Sequence, residues 1–199
     1  MRQVCHPTRS RGVTLVELMV ILAVLAILTM VAAPAFRDLW RRHQVQAATD
    51  ALGADLTYAR HEAVQRAAYV SVCPSKTGQA CSAQPEYGDG WMVYAYSAGV
   101  AGANRTYVPG ESGFSRLRYT VPAGSVVVNA TDAGVITFGQ QGQFKSTAER
   151  TGVAWRVCAN DGADDSRQAV PGAELTLTAS GSLQRRRLMP GDGCVPPAP

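Results

Sequence analysis

Histidine is scarce in this chain. Three residues, His6, His43 and His61, lie far apart along its 199 positions, so no ligand set for metal catalysis is visible. The G-x-S-x-G elbow, the P-loop, the dinucleotide fingerprint and the H-E-x-x-H motif are absent as well. These absences point away from an enzyme, and no metal or cofactor is expected. The carboxylates of "NDGADD", Asn160–Asp165, lack the alternating spacing of a calcium loop and read as a polar turn. Excess charge of one sign is missing too. The formal net charge is +4, but three of the 19 basic residues, Arg2, Arg9 and Arg11, precede Gly12, and without them 16 bases face 15 acids. A global electrostatic field is thereby excluded, and attraction to an anionic partner must come from a local cluster.

One long apolar run is present. From Leu18 to Ala35 there is no charged residue, and at about 1.5 Å per helical residue the run spans roughly 27 Å, close to a hydrocarbon core of about 30 Å. Twelve residues precede the segment, "MRQVCHPTRSRG", with three arginines and no acid, the layout of a cytoplasmic basic leader before an exported body. Arg37, Arg41 and Arg42 lie just beyond the other end, so the positive-inside rule does not fix the orientation alone. An ordinary secretory signal cut at Ala33-Pro34-Ala35 is the rival reading. It would need an unusually long apolar region that tolerates an acid.

That acid is Glu17. With Thr14 it makes T-x-x-E ahead of the apolar run, the capping-box spacing. Capping does not account for the glycine and basic leader placed just before it, and an ionisable group at membrane depth calls for a partner. Cleavage between Gly12 and Val13 would supply one, a new α-amino cation that a carboxylate from a neighbouring chain could neutralise in a low-dielectric bundle.

Past Pro34, apolar or small residues recur at Val45, Ala48, Leu52, Leu56, Ala59, Ala63 and Ala67, one stripe of an amphipathic helix whose other face carries Arg42, Asp50, Arg60, Glu62 and Arg66. The spacing predicts that the helix leaves the membrane and continues to about Ala68. Strand-like runs follow at Tyr69–Cys73, Trp91–Tyr96, Leu117–Val121, Val126–Asn129, Val135–Phe138, Trp155–Cys158 and Glu174–Thr178. No 10–15-residue helical pattern separates them, so a mostly antiparallel sheet is expected. The fold class is α+β, with one long helix packed on a β-sheet domain. Trp91 and Phe138 are expected to be core anchors.

Four cysteines lie beyond the leader's Cys5: Cys73, Cys81, Cys158 and Cys194. An even number in an exported body reads as a disulfide framework. Of the three possible pairings, Cys73–Cys81, closing a short Pro/Gly-containing loop, with Cys158–Cys194 pinning the tail, is preferred.

"RGVTLVELMVILAVLAIL" resembles the class III leader and first helix of type IV pilins and pseudopilins: a short basic leader, glycine before the cut, and glutamate at the fifth mature position, Glu17. Pro34 falls at the twenty-second mature position, where such pilins commonly carry a helix-kinking proline. Val13 stands where the family usually has phenylalanine. "YGDGWMVYAY", "GVITFGQQGQF" and "VAWRVCAN" resemble successive strand motifs of GspH/FimT-type minor pilins and pseudopilins. The resemblance implies a leader over 1–12 removed by prepilin peptidase after Gly12, N-methylation at Val13, a transmembrane and assembly helix over 13–36, and a periplasmic globular domain over 37–199. It implies a single-pass protein of the bacterial inner membrane that joins other pilins in a pilus or pseudopilus, with Glu17 acting in assembly.

The one local basic cluster is Arg185, Arg186 and Arg187. If it continues a strand, Arg185 and Arg187 share a face about 6–7 Å apart, where each guanidinium could grip a phosphate. In FimT-like minor pilins of naturally competent bacteria, a G-R-x-R motif near the C-terminus binds DNA. In one register Gln184-Arg185-Arg186-Arg187 sets against it, with glutamine in place of glycine; in the other Gly181-Ser182-Leu183-Gln184 does, which loses both arginines. The expectation is a FimT-like minor pilin serving pilus assembly and, through these arginines, contacting double-stranded DNA in uptake. The alternative is a type II secretion pseudopilin with a purely structural role.

Overall fold

A computed structural model describes residues 12–99, 102–146, 150–160, 170–189 and 191–197, with Val31, Pro34 and Ala35 described by backbone alone. The leader up to Arg11 and most of the expected turn at Asn160–Asp165 lie outside the described residues. The chain divides into two units, 1–39 and 40–199.

In the first unit, helix α1 (Leu15–Arg66) starts with the capping box that the T-x-x-E spacing predicts. The Glu17 amide donates to Thr14 Oγ1 at 3.2 Å, and the Thr14 amide donates to Glu17 Oε2 at 3.4 Å. The helix runs through Pro34 without interruption. Its apolar side chains find no cover in this unit: Leu15 is 75% exposed and Met30 78%. Among the described residues no helix is long and apolar enough to cross a membrane. The uncharged run read from the sequence includes Val31, Pro34 and Ala35, whose side chains are outside the description.

In the second unit the same helix is amphipathic. Val45, Ala48, Leu52, Leu56, Ala59 and Ala63 are all buried. Ala67 departs from the expected stripe and is exposed, because the helix stops at Arg66 and Ala67 turns into the left-handed region at φ 47°. The Ala67 amide donates to Val64 O and the Ala68 amide to Ala63 O, the pair of bonds that closes a helix C-terminus in a Schellman motif.

The helix stripe is covered by strands β1 (Tyr69–Pro74), β2 (Trp91–Tyr96), β3 (Phe114–Thr120), β4 (Val126–Ala130), β5 (Ile136–Phe138), β6 (Phe144–Lys145), β7 (Gly152–Ala159), β8 (Ala173–Thr178) and β9 (Leu183–Arg187). They form two sheets, β3-β2-β1-β5-β6 and β4-β7-β8-β9, in which every pairing is antiparallel. The inward residues of both sheets, among them Val72, Trp91, Phe138, Trp155, Val157, Leu175 and Leu177, share one core with the helix stripe. Trp91 and Phe138 sit in it as expected.

β2 is buried along its whole length, which hides the period-2 pattern of a half-exposed strand. Its outward residues Met92, Tyr94 and Tyr96 carry a second cluster with Tyr69, Tyr107, Phe114 and Tyr119, and Tyr94 donates to Arg105 O at 2.6 Å. β9 is a strand separate from β8, reached through the turn Ser180–Gly181. Gly181 has φ 78° there, a conformation that a Cβ disfavours. Both preferred disulfides form, Cys73–Cys81 and Cys158–Cys194.

Candidate functional site

The arginines of β9 alternate across the sheet as a strand requires. Arg185 turns toward the helix, where Nη1 donates to Asp50 Oδ1 at 2.5 Å and Nη2 to Gln46 Oε1 at 2.7 Å. Arg186 points to the other face and forks onto Glu174, its direct cross-strand neighbour, with Nε to Oε1 at 2.7 Å and Nη2 to Oε2 at 3.0 Å. Its Nη1 reaches Asp192 Oδ2 at 3.3 Å. Arg187 is exposed and has no ion pair among the described residues. Of the pair expected to grip phosphates, Arg185 is thus held by a carboxylate of the same chain, as is Arg186 on the other face.

Where β9 ends, a groove of about 340 Å³ opens between helix and strand, lined by Arg42, Val45, Gln46, Gly172, Arg185 and Arg187. Arg42 is exposed and, like Arg187, lacks a carboxylate partner among the described residues.

Glu174 is the hub of the outer face. Besides Arg186 it accepts a bond from Arg156 Nε at 2.8 Å, and Arg156 Nη1 donates to Gly193 O at 2.8 Å and Val195 O at 3.1 Å. Asn129 Nδ2 donates to Cys194 O at 3.2 Å. With Cys158–Cys194, these bonds fasten the C-terminal tail over β7 and β8. Burial alone would raise the Glu174 carboxyl, but the hydrogen bonds from Arg186 and Arg156 outweigh it and hold it below its ordinary value of 4.5. A carboxyl lowered in the folded state contributes stability that is present above its unfolded pKa and is lost as pH falls through the folded one. Thermal unfolding of the unaltered chain should therefore show a midpoint that drops as the pH falls below the ordinary value of 4.5. Glu174→Gln, which strands the buried Arg156, should cost about 2 kcal/mol at neutral pH and flatten that drop. An unchanged slope in the variant would contradict the assignment.

The other expected site residues are placed as follows. Gly12 and Val13 are exposed just ahead of α1, with nothing near enough to Gly12 to touch an added Cβ. Glu17 lies in the exposed first turn. Asp50 and Glu174, which decide what the arginines can do, were not distinguishable in the sequence. Asp50 is far from the arginine triplet along the chain and Glu174 lies on the preceding strand, so only the helix position and the β8–β9 register bring them together.

The Type II transport protein GspH family matches residues 48–188 of this chain, and the prokaryotic N-terminal methylation motif matches residues 7–33. No curated protein is similar enough to count as a match. Among solved structures, the type IV minor pilin FimU of Pseudomonas aeruginosa PAO1 is similar at 20% identity and a TM-score of 0.51, over 76% of this chain and 97% of that one. The minor pseudopilin EpsH from the Type 2 Secretion System of Vibrio cholerae is similar at 10% identity and a TM-score of 0.43, over 75% of this chain and 99% of that one. With a family match across most of the globular unit and a methylation motif over the capped helix start, the chain belongs to the GspH family and is a type IV pilin-like protein, a minor pilin or pseudopilin.

Proposed function

We propose that this chain is a FimT-like minor pilin of a type IV pilus system. It is cut after Gly12 by prepilin peptidase, methylated at Val13, held in the inner membrane by 13–36 and drawn into the fibre through Glu17. The observation that carries the reading is the contrast along one helix. From Val45 onward its apolar stripe is covered by sheets, whereas from Leu15 to Trp40 the large apolar side chains that are described stand exposed behind a capping-box carboxylate. A surface of that kind is stable only in lipid or against other helices. The chain acts here as a structural subunit and not as an enzyme.

Contact with double-stranded DNA through Arg185, Arg186 and Arg187 is less well supported than assembly. Arg185 and Arg186 would have to give up Asp50 and Glu174. Arg187 and Arg42 then remain, and so few phosphate contacts bind weakly at moderate salt. The match to the GspH family favours one second reading, a type II secretion pseudopilin with a purely structural role. Loss of surface pili on deletion of the gene would point to the first, and retention of exported proteins in the periplasm to the second.

The test common to both is the mature N-terminus. The chain recovered from cells should begin at N-methylated Val13, and Gly12→Ala should leave it at full length. A chain beginning at Phe36, or normal shortening of the Gly12→Ala variant, would overturn the leader assignment.

A further inference from the structure

Two cations line the groove where β9 ends, Arg42 from the helix and Arg187 from the strand. Both are exposed, and neither has an ion pair among the described residues. The walls that carry them are tied together. Asp50 accepts from Arg185 at 2.5 Å and from Gln46 Nε2 at 2.9 Å, while Gln46 Oε1 accepts from Arg185 at 2.7 Å. That triangle of bonds joins the helix to β9. The rest of the lining is partly apolar, with Val45 and Ala173 beside the exposed Pro171.

Two guanidinium forks next to apolar surface suit a phosphodiester that carries aliphatic carbon. The groove holds about 340 Å³, the size of a site for one small ligand. Duplex DNA needs many phosphates neutralised at once, and this groove offers two unpaired cations. A zwitterionic headgroup would bring its own ammonium against those cations, whereas an anionic one would not.

The position of Arg42 in the chain points to a membrane as the source of the phosphate. Six residues take the chain from Phe36, the end of the 13–36 segment, to Arg42. That is about 9 Å of helix, against a headgroup layer about 5–8 Å deep on each side of a bilayer. A long arginine side chain covers the difference by reaching back toward the interface. Trp40, two residues before Arg42, is 60% exposed, and tryptophan collects at headgroup level. A tethered site also needs little intrinsic affinity, because its ligand is present at an effective concentration in the millimolar range.

We propose that this groove seats the phosphodiester of an anionic phospholipid, gripped by Arg42 and Arg187, with its glycerol carbons against Val45 and Pro171. The proposal rests on the reading of 13–36 as a membrane segment and adds to it a headgroup site on the globular unit.

The test uses the mature full chain, extracted from membranes in mild detergent, stripped of lipid and titrated with phosphatidylglycerol or phosphatidylcholine in mixed micelles. Native mass spectrometry reads the lipid retained. Phosphatidylglycerol should be held about tenfold better than phosphatidylcholine. Arg42→Gln with Arg187→Gln should abolish that preference and leave the melting temperature unchanged, since neither side chain is in an ion pair. Arg37→Gln with Arg60→Gln removes the same charge outside the groove and should keep it. Equal retention of the two lipids would overturn the proposal, as would equal loss in both variant pairs, which would show diffuse attraction. Displacement of the lipid by inorganic phosphate or by a short DNA duplex, at equal phosphate concentration, would assign the groove to those anions and also overturn it. Alkaline carbonate washing of cell envelopes tests the underlying reading separately. A chain that stays in the membrane without a lipid preference loses the headgroup site alone. One that is washed out and still retains phosphatidylglycerol keeps the site and rejects the membrane segment.

Discussion

Asp55→Ala lowers the stability of the globular unit by about 3 kcal/mol. Asp55 is 3% exposed on the covered face of α1 and accepts three bonds: Trp91 Nε1 at 2.8 Å, Thr120 Oγ1 at 2.6 Å and Arg118 Nη1 at 2.6 Å. Through it the helix is tied to β2 and β3 by polar bonds beside the apolar core. Truncation leaves the indole N–H of Trp91, itself fully buried, without an acceptor. It also removes the acceptor of Thr120. Each stranded buried donor costs about 1–3 kcal/mol. Arg118 is half-exposed and lies over the Tyr58 ring at 4.1 Å, so it re-enters water at little cost and adds less. For a domain of this size the loss corresponds to roughly 6–12 °C in melting temperature. Asp55→Asn keeps an acceptor for the indole and should lose less than half as much. Thermal unfolding of both variants with disulfides intact checks the pair, and an alanine variant melting within about 2 °C of the unaltered chain would contradict the role assigned to Asp55.

Sequence reading reached furthest where the physical cause is local. Thr14 and Glu17 are three residues apart, so their capping box follows from spacing alone. The stripe from Val45 to Ala63 is a period of one helix. It overran by one residue at Ala67 because alanine at a left-handed helix end carries no compositional mark, whereas glycine would have. The short loop between Cys73 and Cys81 made that pairing legible, and with it the other. β6 escaped and β9 entered only as a condition on the arginine cluster, because neither has a strand composition: one is two residues long, and the other is mostly arginine and glutamine. β9 forms because β8 offers it a backbone ladder and Glu174 stands opposite Arg186. The same non-local facts removed Arg185 and Arg186 from the set free to bind an outside anion. A triplet of like charges read as a patch therefore folds into two arginines paired within the chain and one, Arg187, with no ion pair among the described residues.

Glu17→Ala is expected to have the second large effect, a fall of at least about tenfold in the amount of chain recovered in fibres. The helix start alone does not explain such a loss. Removing a cap costs about 1 kcal/mol at the end of a helix that continues for fifty residues, too little to keep the chain out of an assembly. A carboxylate placed in a bundle of apolar helices is different, since it is costly there unless a cation meets it. In the proposed fibre, the α-amino group at Val13 of a neighbouring subunit would be that cation once the leader is gone. Glu17→Gln separates the two causes, because glutamine completes a capping box as glutamate does and carries no charge.

The most direct measurement is therefore the fraction of the processed chain found in sheared fibres for the unaltered protein, Glu17→Ala and Glu17→Gln, each expressed at the same level. The account predicts that all three are cut after Gly12, that the unaltered chain enters fibres, and that both variants are depleted together. Normal incorporation of the glutamine variant would reduce Glu17 to a helix cap, and absence of the unaltered chain from fibres would contradict the fibre-subunit account itself.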